Sequence, residues 1–420
     1  MEIIEVRGGR TLAGSIAPPA AKNSVLPLLA ATLLCGEPCR LHGVPRLTDV
    51  DTSLAILSAA GARAARCGRD IVTRPVTLLS GDIPPRLAGA MRSSVFYLAP
   101  LLVRAGQVRL PVPGGCRLGP RPVDIHLDGL AAMGARVELA ADAVILRRSG
   151  RLHGADFTLR LPSVGATETL LMAASCAEGT TVLRGAACEP EVEDLAGFLT
   201  ACGARITGAG TPVIVIQGRA GGLDGCSYTS LPDRIAATTY AAAVAMAGGD
   251  ITIRRCCPAT FSTFLDFLRA TGCDVQTGVS SVRIRRDRRV PLQGGQELFA
   301  AAWPGFATDA APLAAAVLLT AQGPSRIYDG LFQNRFACAA GFRALGAQAQ
   351  DNGRELTIQG DARLTGTVVT APDLRGGAAL VIAALAAEGK TCILDEGHIR
   401  RGYQALPDEL ASLGAACRMA

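Results

Sequence analysis

A short pattern returns six times along this 420-residue chain. An apolar, helix-like face closes on Gly followed by Ala or Cys at 54–62, 127–135, 195–204, 264–273, 340–347 and 406–415. The glycines are Gly61, Gly134, Gly203, Gly272, Gly346 and Gly414, separated by 73, 69, 69, 74 and 68 residues, close to one sixth of the chain. Such a period marks one supersecondary unit copied along the sequence, each copy burying its apolar face against its neighbours.

A second signal runs in register with the first. Almost wholly apolar runs ending in Gly lie at 26–36, 95–106, 167–179, 236–248, 310–323 and 378–389, and a terminal Gly is the expected helix stop. The stretches that follow, such as Thr181-Val182-Leu183 and Ile251-Thr252-Ile253, are β-rich, and pairs of short strand-like segments follow each second helix. Each unit therefore reads strand, helix, strand, helix, strand, strand. The first helix of a unit is apolar nearly all round, whereas the second, as in Glu191-Val192-Glu193-Asp194-Leu195-Ala196, carries a charged face. Helices buried on every side need sheets outside them, so the pattern predicts an α/β fold with internal helices and external sheets. Three units per domain give two domains of similar size, with the cleft between them as the expected site.

Composition narrows the function classes. Apolar residues make up 49% and charged residues 19%, which excludes disorder. The balance of 42 Lys and Arg against 36 Asp and Glu, +6, favours small anionic ligands over a nucleic-acid tract. The Arg-rich stretch 283–289 lacks aromatic interleaving and reads as a solvated edge strand. The longest apolar runs, at 95–103 and 378–387, are about half the ~20 residues a bilayer span requires. With Met1-Glu2-Ile3-Ile4 showing no basic-then-apolar leader, the expectation is a cytoplasmic protein without membrane partners. The fourteen cysteines read mostly as small buried hydrophobes. A zinc site built from Cys35, Cys39 and His42, or from Cys256 and Cys257, lacks a fourth ligand, so packing roles and no metal are expected.

Polar residues gather just before the helices. Lys22-Asn23, Arg92, Ser163-Val164-Gly165, Asp233-Arg234, Asp309 and Asp373-Leu374-Arg375 precede or open the first helices. Asp49, Arg121-Pro122-Val123-Asp124, Glu189-Pro190-Glu191, Asn334-Arg335 and 398–401 do the same for the second. Helix capping accounts for Asp49, Ser163 and Glu189. It does not account for Lys22, Arg92, Arg121, Arg375 and Arg401, because a cation at a helix start is unfavourable unless an anion faces it. The Gly- and Pro-rich stretch 113–122 reads as a loop carrying Cys116 beside Arg117 and Arg121, cations that favour the reactive thiolate.

These motifs together carry a resemblance. Ala21-Lys22-Asn23, Met91-Arg92-Ser93, the Pro-Gly-Gly-Cys loop with Arg121-Pro122-Val123-Asp124, and Ser163-Val164-Gly165-Ala166-Thr167-Glu168 resemble the enolpyruvyl transferases of peptidoglycan synthesis. Leu231-Pro232-Asp233-Arg234-Ile235, Pro304-Gly305-Phe306 with Thr308-Asp309, Asn334-Arg335-Phe336, Asp373-Leu374-Arg375 and Arg401-Gly402-Tyr403 continue it in order, over essentially the whole chain. The resemblance implies a two-domain inside-out α/β barrel of six βαβαββ repeats. Its first domain spans 22–230 and carries the Cys116 loop; its second joins 1–21 to 231–420. The implied reaction joins the enolpyruvyl group of phosphoenolpyruvate to the 3-hydroxyl of UDP-N-acetylglucosamine through a tetrahedral ketal, with no cofactor.

By the same resemblance, Lys22, Arg121 and Arg401 hold the phosphate of phosphoenolpyruvate, with Arg375 and Arg401 near its carboxylate. Cys116 delivers a proton to the vinyl carbon, and Asp309 is the base for the sugar hydroxyl. Asn23, Arg92, Ser163, Val164, Gly165 and Asp309 contact the nucleotide sugar; Pro122, Val123, Asp124, His126, Leu331, Arg335 and Asp373 complete the implied substrate-binding set. The chain departs from the family pattern at Ala236, Ala307, Ala311 and Arg400. The related transferases acting on shikimate 3-phosphate have Ser after the first Lys and lack the loop Cys, so Asn23 and Cys116 argue against that branch.

Overall fold

The computed structural model describes residues 1–76, 79–111, 113 and 123–420. Cys116, Arg121 and Pro122 lie outside the described residues. The chain divides into two compact units, one formed by Met1–Pro19 with Pro232–Ala420 and the other by the described residues from Ala20 to Leu231.

In the Ala20–Leu231 unit, the strands make three sheets. Asp156–Thr158, Thr180–Arg184, Arg205–Thr207 and Val213–Gln217 form one complete repeat with two helices, Val164–Ser175 and Pro190–Ala201, between them. Asp156–Thr158 runs parallel to Thr180–Arg184, as a crossover through a helix requires, and Val213–Gln217 pairs antiparallel with Thr180–Arg184 and Arg205–Thr207. The same strand order recurs in the other four-stranded sheets.

Three of those sheets are completed by strands remote in sequence. Leu12–Ile16 lies parallel to Gly249–Arg254 and so serves as the first strand of the fourth repeat, while Ser227–Thr229 does that service for Cys39–His42 in the first repeat. Glu2–Arg7 inserts antiparallel between Lys390–Asp395 and Ala416–Met419, supplying the last strand of the sixth repeat. Both amino-terminal strands thus belong to the same compact unit as the carboxyl-terminal strands.

The first helices are buried as their composition predicts. All residues of Arg234–Ala247, Ala311–Leu318 and Leu374–Ala384 are buried, and only Asn23 of Lys22–Ala31 is exposed. Second helices such as Thr48–Ala59 and Ser262–Ala270 keep a solvent face. The six repeated glycines all take φ between 92° and 102°, the left-handed turn that ends each second helix and that a side chain would strain. No helix among the described residues is long and apolar enough to cross a membrane.

Candidate active site

In the Ala20–Leu231 unit, cationic and acidic side chains meet at helix starts. Lys22 opens the helix Lys22–Ala31, whose N-cap Ala21 offers no side-chain cap. Its Nζ lies 2.7 Å from Asp49 Oδ2, with only 10% and 3% of the two side chains exposed. Asp49 is therefore not a cap, contrary to the sequence reading: Leu47 holds the N-cap position, and the carboxylate is turned inward to the lysine. Glu189 stands at the N-cap of Pro190–Ala201 without a side-chain cap bond, whereas Ser163 does cap its helix, accepting from the Ala166 N–H at 3.3 Å.

His126 is buried among these groups. Its Nδ1 lies 2.9 Å from Thr169 Oγ1, and burial, reinforced by the Arg92 charge, pushes its pKa down to about 3. The ring rests on Gly165, where an added Cβ would meet His126 Cε1 at 3.2 Å. Val164 and Val123 are half-buried, and Asn23 is exposed. Asp124 opens the helix Asp124–Ala132 and pairs with Arg160 at the surface.

One group here was part of a family motif but was given no role by sequence reasoning. Glu168 sits about one turn inside the apolar helix Val164–Ser175, is fully buried, and has both carboxylate oxygens without a hydrogen-bond partner among the described residues. Burial raises its pKa well above the carboxylate range, and Glu191, Glu189 and Asp194 push it further. Asp194, in contrast, accepts bonds from Tyr228 Oη (2.9 Å), Ser230 Oγ (2.8 Å) and the Leu231 N–H (3.2 Å).

The other unit assembles a second constellation around Asp309. Its Oδ1 faces Arg335 Nη2 at 3.3 Å, and its Oδ2 lies 3.1 Å from Arg375 Nε and 3.0 Å from Arg375 Nη2. Both guanidiniums are buried, with side-chain exposures of 2% and 4%, while 26% of the Asp309 side chain stays open. Burial works against the charge on Arg375, but Asp309, Tyr403 and Asp233 outweigh it and hold the pKa above the ordinary value. Arg375 also stacks over the Tyr403 ring, 5.5 Å from its centroid. Arg335 donates to Thr308 Oγ1 at 3.0 Å and lies over Phe332.

Asp329 underpins this arrangement. It is fully buried, accepts from the Leu331 and Phe332 N–H groups at 2.8 and 2.7 Å and from Thr308 Oγ1, and lies 3.6 Å from Arg335. The readable signal was its phase: Ser325, Ile327 and Asp329 are the inward positions of one strand, so an acid there needs buried partners. Asp395 ends its strand the same way, accepting from the His398 and Ile399 N–H groups ahead of Arg401. Leu331 is exposed. Asp373 serves as the N-cap of Leu374–Ala384, accepting from the Arg375 and Gly376 N–H groups at 2.9 Å.

Three of the four departures from the family pattern lie at the surface or in the core, whereas the half-buried Ala307 directly precedes Thr308. Arg400 pairs with Glu2 at 2.9 Å on the surface, and Ala236 and Ala311 are buried in apolar helices. The predicted edge strand at 283–289 is Ser281–Arg286 up to Arg286, yet it is a central strand, paired on both sides, with Arg283 and Arg285 held by Asp250 and Asp274. His42 bonds to Asp70 and Ser227, away from the cysteines with which sequence reading grouped it.

A family model described as EPSP synthase (3-phosphoshikimate 1-carboxyvinyltransferase) matches residues 6–410. The chain belongs to that family. Within this enolpyruvyl transferase family, it is 41% identical over 98% of its length to UDP-N-acetylglucosamine 1-carboxyvinyltransferase 2 of Caldanaerobacter subterraneus subsp. tengcongensis, covering 98% of that protein. It is also 41% identical to UDP-N-acetylglucosamine 1-carboxyvinyltransferase of Dichelobacter nodosus, over 99% of this chain and 98% of the relative. Among solved structures, the enolpyruvyl transferase NikO from Streptomyces tendae superposes with a TM-score of 0.89 at 27% identity, covering 100% of this chain and 99% of that one. EPSP synthase from Acinetobacter baumannii, at 16% identity and a TM-score of 0.72 over 100% of both chains, shares the fold.

Proposed function

We propose that this enolpyruvyl transferase joins the enolpyruvyl group of phosphoenolpyruvate to the 3-hydroxyl of UDP-N-acetylglucosamine and releases phosphate, in the cytoplasm, as the first committed step of peptidoglycan synthesis. The observation that carries the reading is Asp309, a carboxylate held between two buried guanidiniums yet partly open. Relatives at 41% identity named for this reaction support the choice of acceptor.

The chemistry needs an acid and a base on opposite ends of one addition. Protonation of the vinyl carbon leaves positive charge on the ether carbon; the sugar oxygen then bonds to that carbon as its proton leaves, giving the ketal. Elimination breaks the carbon–oxygen bond to phosphate and returns a methyl proton, restoring the double bond. In this reading Cys116 supplies the vinyl proton and Asp309 accepts the hydroxyl proton. Lys22, Arg121 and Arg401 hold the phosphate, and Arg375 and Arg401 the carboxylate. Asn23, Arg92, Ser163, Val164 and Gly165 take the nucleotide sugar, and Arg335 orients Asp309 through its ion pair. The Lys22 ammonium, fixed by Asp49, is preorganised for a dianion.

Phosphate release from phosphoenolpyruvate is expected with UDP-N-acetylglucosamine and not with shikimate 3-phosphate. Cys116→Ser is expected to lose most activity, and an epoxide phosphonate to label Cys116 in the wild type. Release with shikimate 3-phosphate alone moves the chain to the other branch. Release with neither makes it a silent binding homologue, and a fully active, unlabelled Cys116→Ser enzyme removes the thiol's role.

A further inference from the structure

Four cysteines from the first and third repeats converge in the Ala20–Leu231 unit. The sulfurs of Cys35, Cys39 and Cys202 all lie within 4.8 Å of one another, with all three residues buried. Cys35 Sγ is 3.7 Å from Cys202 Sγ, and Cys202 Sγ is 3.2 Å from that of the half-buried Cys226.

The backbone builds this cluster deliberately close. Cys35 follows the short helical turn Thr32–Leu34, and Cys39 opens the strand Cys39–His42. Cys202 caps the helix Pro190–Ala201, and Cys226 precedes the strand Ser227–Thr229. The two segments are laced together: Gly36 N–H to Leu223 O at 2.6 Å, Leu223 N–H to Leu34 O at 3.2 Å, Arg40 N–H to Cys226 O and Asp224 N–H to Cys202 O, both at 2.9 Å. Gly225 lies so near the 37–38 turn that a Cβ would stand 2.2 Å from Pro38 O. The Arg104 guanidinium donates to Leu33 O at 2.8 Å and Cys35 O at 3.4 Å, placing a cation beside the ligand turn.

We infer that Cys35, Cys39, Cys202 and Cys226 form a tetrathiolate site for a single Zn²⁺ ion, structural and separate from the substrate site. Zinc–sulfur bonds of about 2.3 Å in a tetrahedron place the sulfurs about 3.8 Å apart, the separation seen between Cys35 and Cys202. The Cys-x3-Cys spacing of 35 and 39 lies within the usual two- to four-residue ligand interval. Thiolate donors select zinc over calcium or magnesium, and binding, which draws Cys226 in from its place 3.2 Å from Cys202, displaces the thiol protons to solvent with no redox change. A four-ligand set leaves no open position, which marks a structural ion. Lys22 and Cys35 stand at opposite ends of Lys22–Ala31 and the turn after it, so roughly 15 Å of helix separates the metal from the lysine. The ion would clip the first repeat to the third.

The full chain, purified under reductant without chelator or metal-affinity resin, is expected to retain one zinc per chain after desalting. Cys39→Ser and Cys226→Ser should each reduce that content at least tenfold. Because loss of a ligand can also weaken folding, the wild type is stripped under reductant and titrated with Co²⁺. The intense absorption of a tetrahedral four-thiolate Co²⁺ centre should saturate at one equivalent. Metal-free protein that gives no saturable Co²⁺ spectrum overturns the site, as does a spectrum of fewer thiolates. A Cys202–Cys226 disulfide found by mass spectrometry in the freshly isolated, unreduced chain overturns it equally.

Discussion

Replacing Glu168 by Gln isolates the electrostatics of one buried acid. The side chain is 0% exposed, neither oxygen has a hydrogen-bond partner among the described residues, and burial, reinforced by three further acids, raises its pKa well above 4.5. An acid with a raised folded pKa contributes its full stability below the unfolded value and loses it as pH rises toward the folded one. Over that window the folded state binds a proton the unfolded state has released, so stability falls by about 1.4 kcal/mol per pH unit. Glutamine keeps shape and neutrality but has no proton to lose. Amide exchange in Val164–Ser175, read as opening free energy, should therefore be slower in Glu168→Gln than in the wild type. The gap should widen about tenfold for each pH unit above 4.5 until the folded pKa is reached, and close below 4.5. Intrinsic exchange chemistry cancels in the ratio of the two proteins. A ratio that stays constant between pH 4 and pH 8 refutes the claim that Glu168 is held protonated by burial.

Two other tests address the same unit. His126, whose pKa is lowered to about 3 by burial and Arg92, should show ring resonances that do not titrate between about pH 5 and 8. Its depressed pKa makes the wild type lose stability, relative to His126→Gln, as pH falls below about 6.5, and titration near neutrality would disprove the assignment. Lys22→Met leaves Asp49 charged and buried, so it should destabilise the unit by about 3–5 kcal/mol in urea unfolding. Lys22→Met with Asp49→Leu should recover most of that loss; additive losses would mean the pair is not coupled.

Much of the site was legible because chemistry marks its members singly. Arg335, Arg375 and Asp309 each stood out as charges at helix starts, but nothing in their spacing of 26 and 40 residues said that one carboxylate would bridge both guanidiniums. Asp49 was misread as a cap because a local rule was applied to a residue whose partner, Lys22, lies on a different helix. Glu168 was read only as the last residue of a family motif, without a role, because it sits in an apolar helix and its energetic meaning depends on burial and on three acids brought near it by packing. The Cys35 and Cys39 pair was seen, but His42 drew the reading off, since Cys202 and Cys226 are more than 160 residues away in sequence.

Hydrophobic periodicity and the six glycines were enough to determine the repeat, the inner and outer helices and the external sheets, because each follows from where one unit must hide its own apolar face. Which strand completes which sheet was decided only in three dimensions. Glu2–Arg7, Leu12–Ile16 and Ser227–Thr229 join sheets built by distant repeats, since a strand edge accepts any chain of matching register and carries no record of sequence distance. The same holds for the charges around Asp309 and the four sulfurs: their residue types are written in the chain, but the distances that give them chemistry exist only once the repeats have packed.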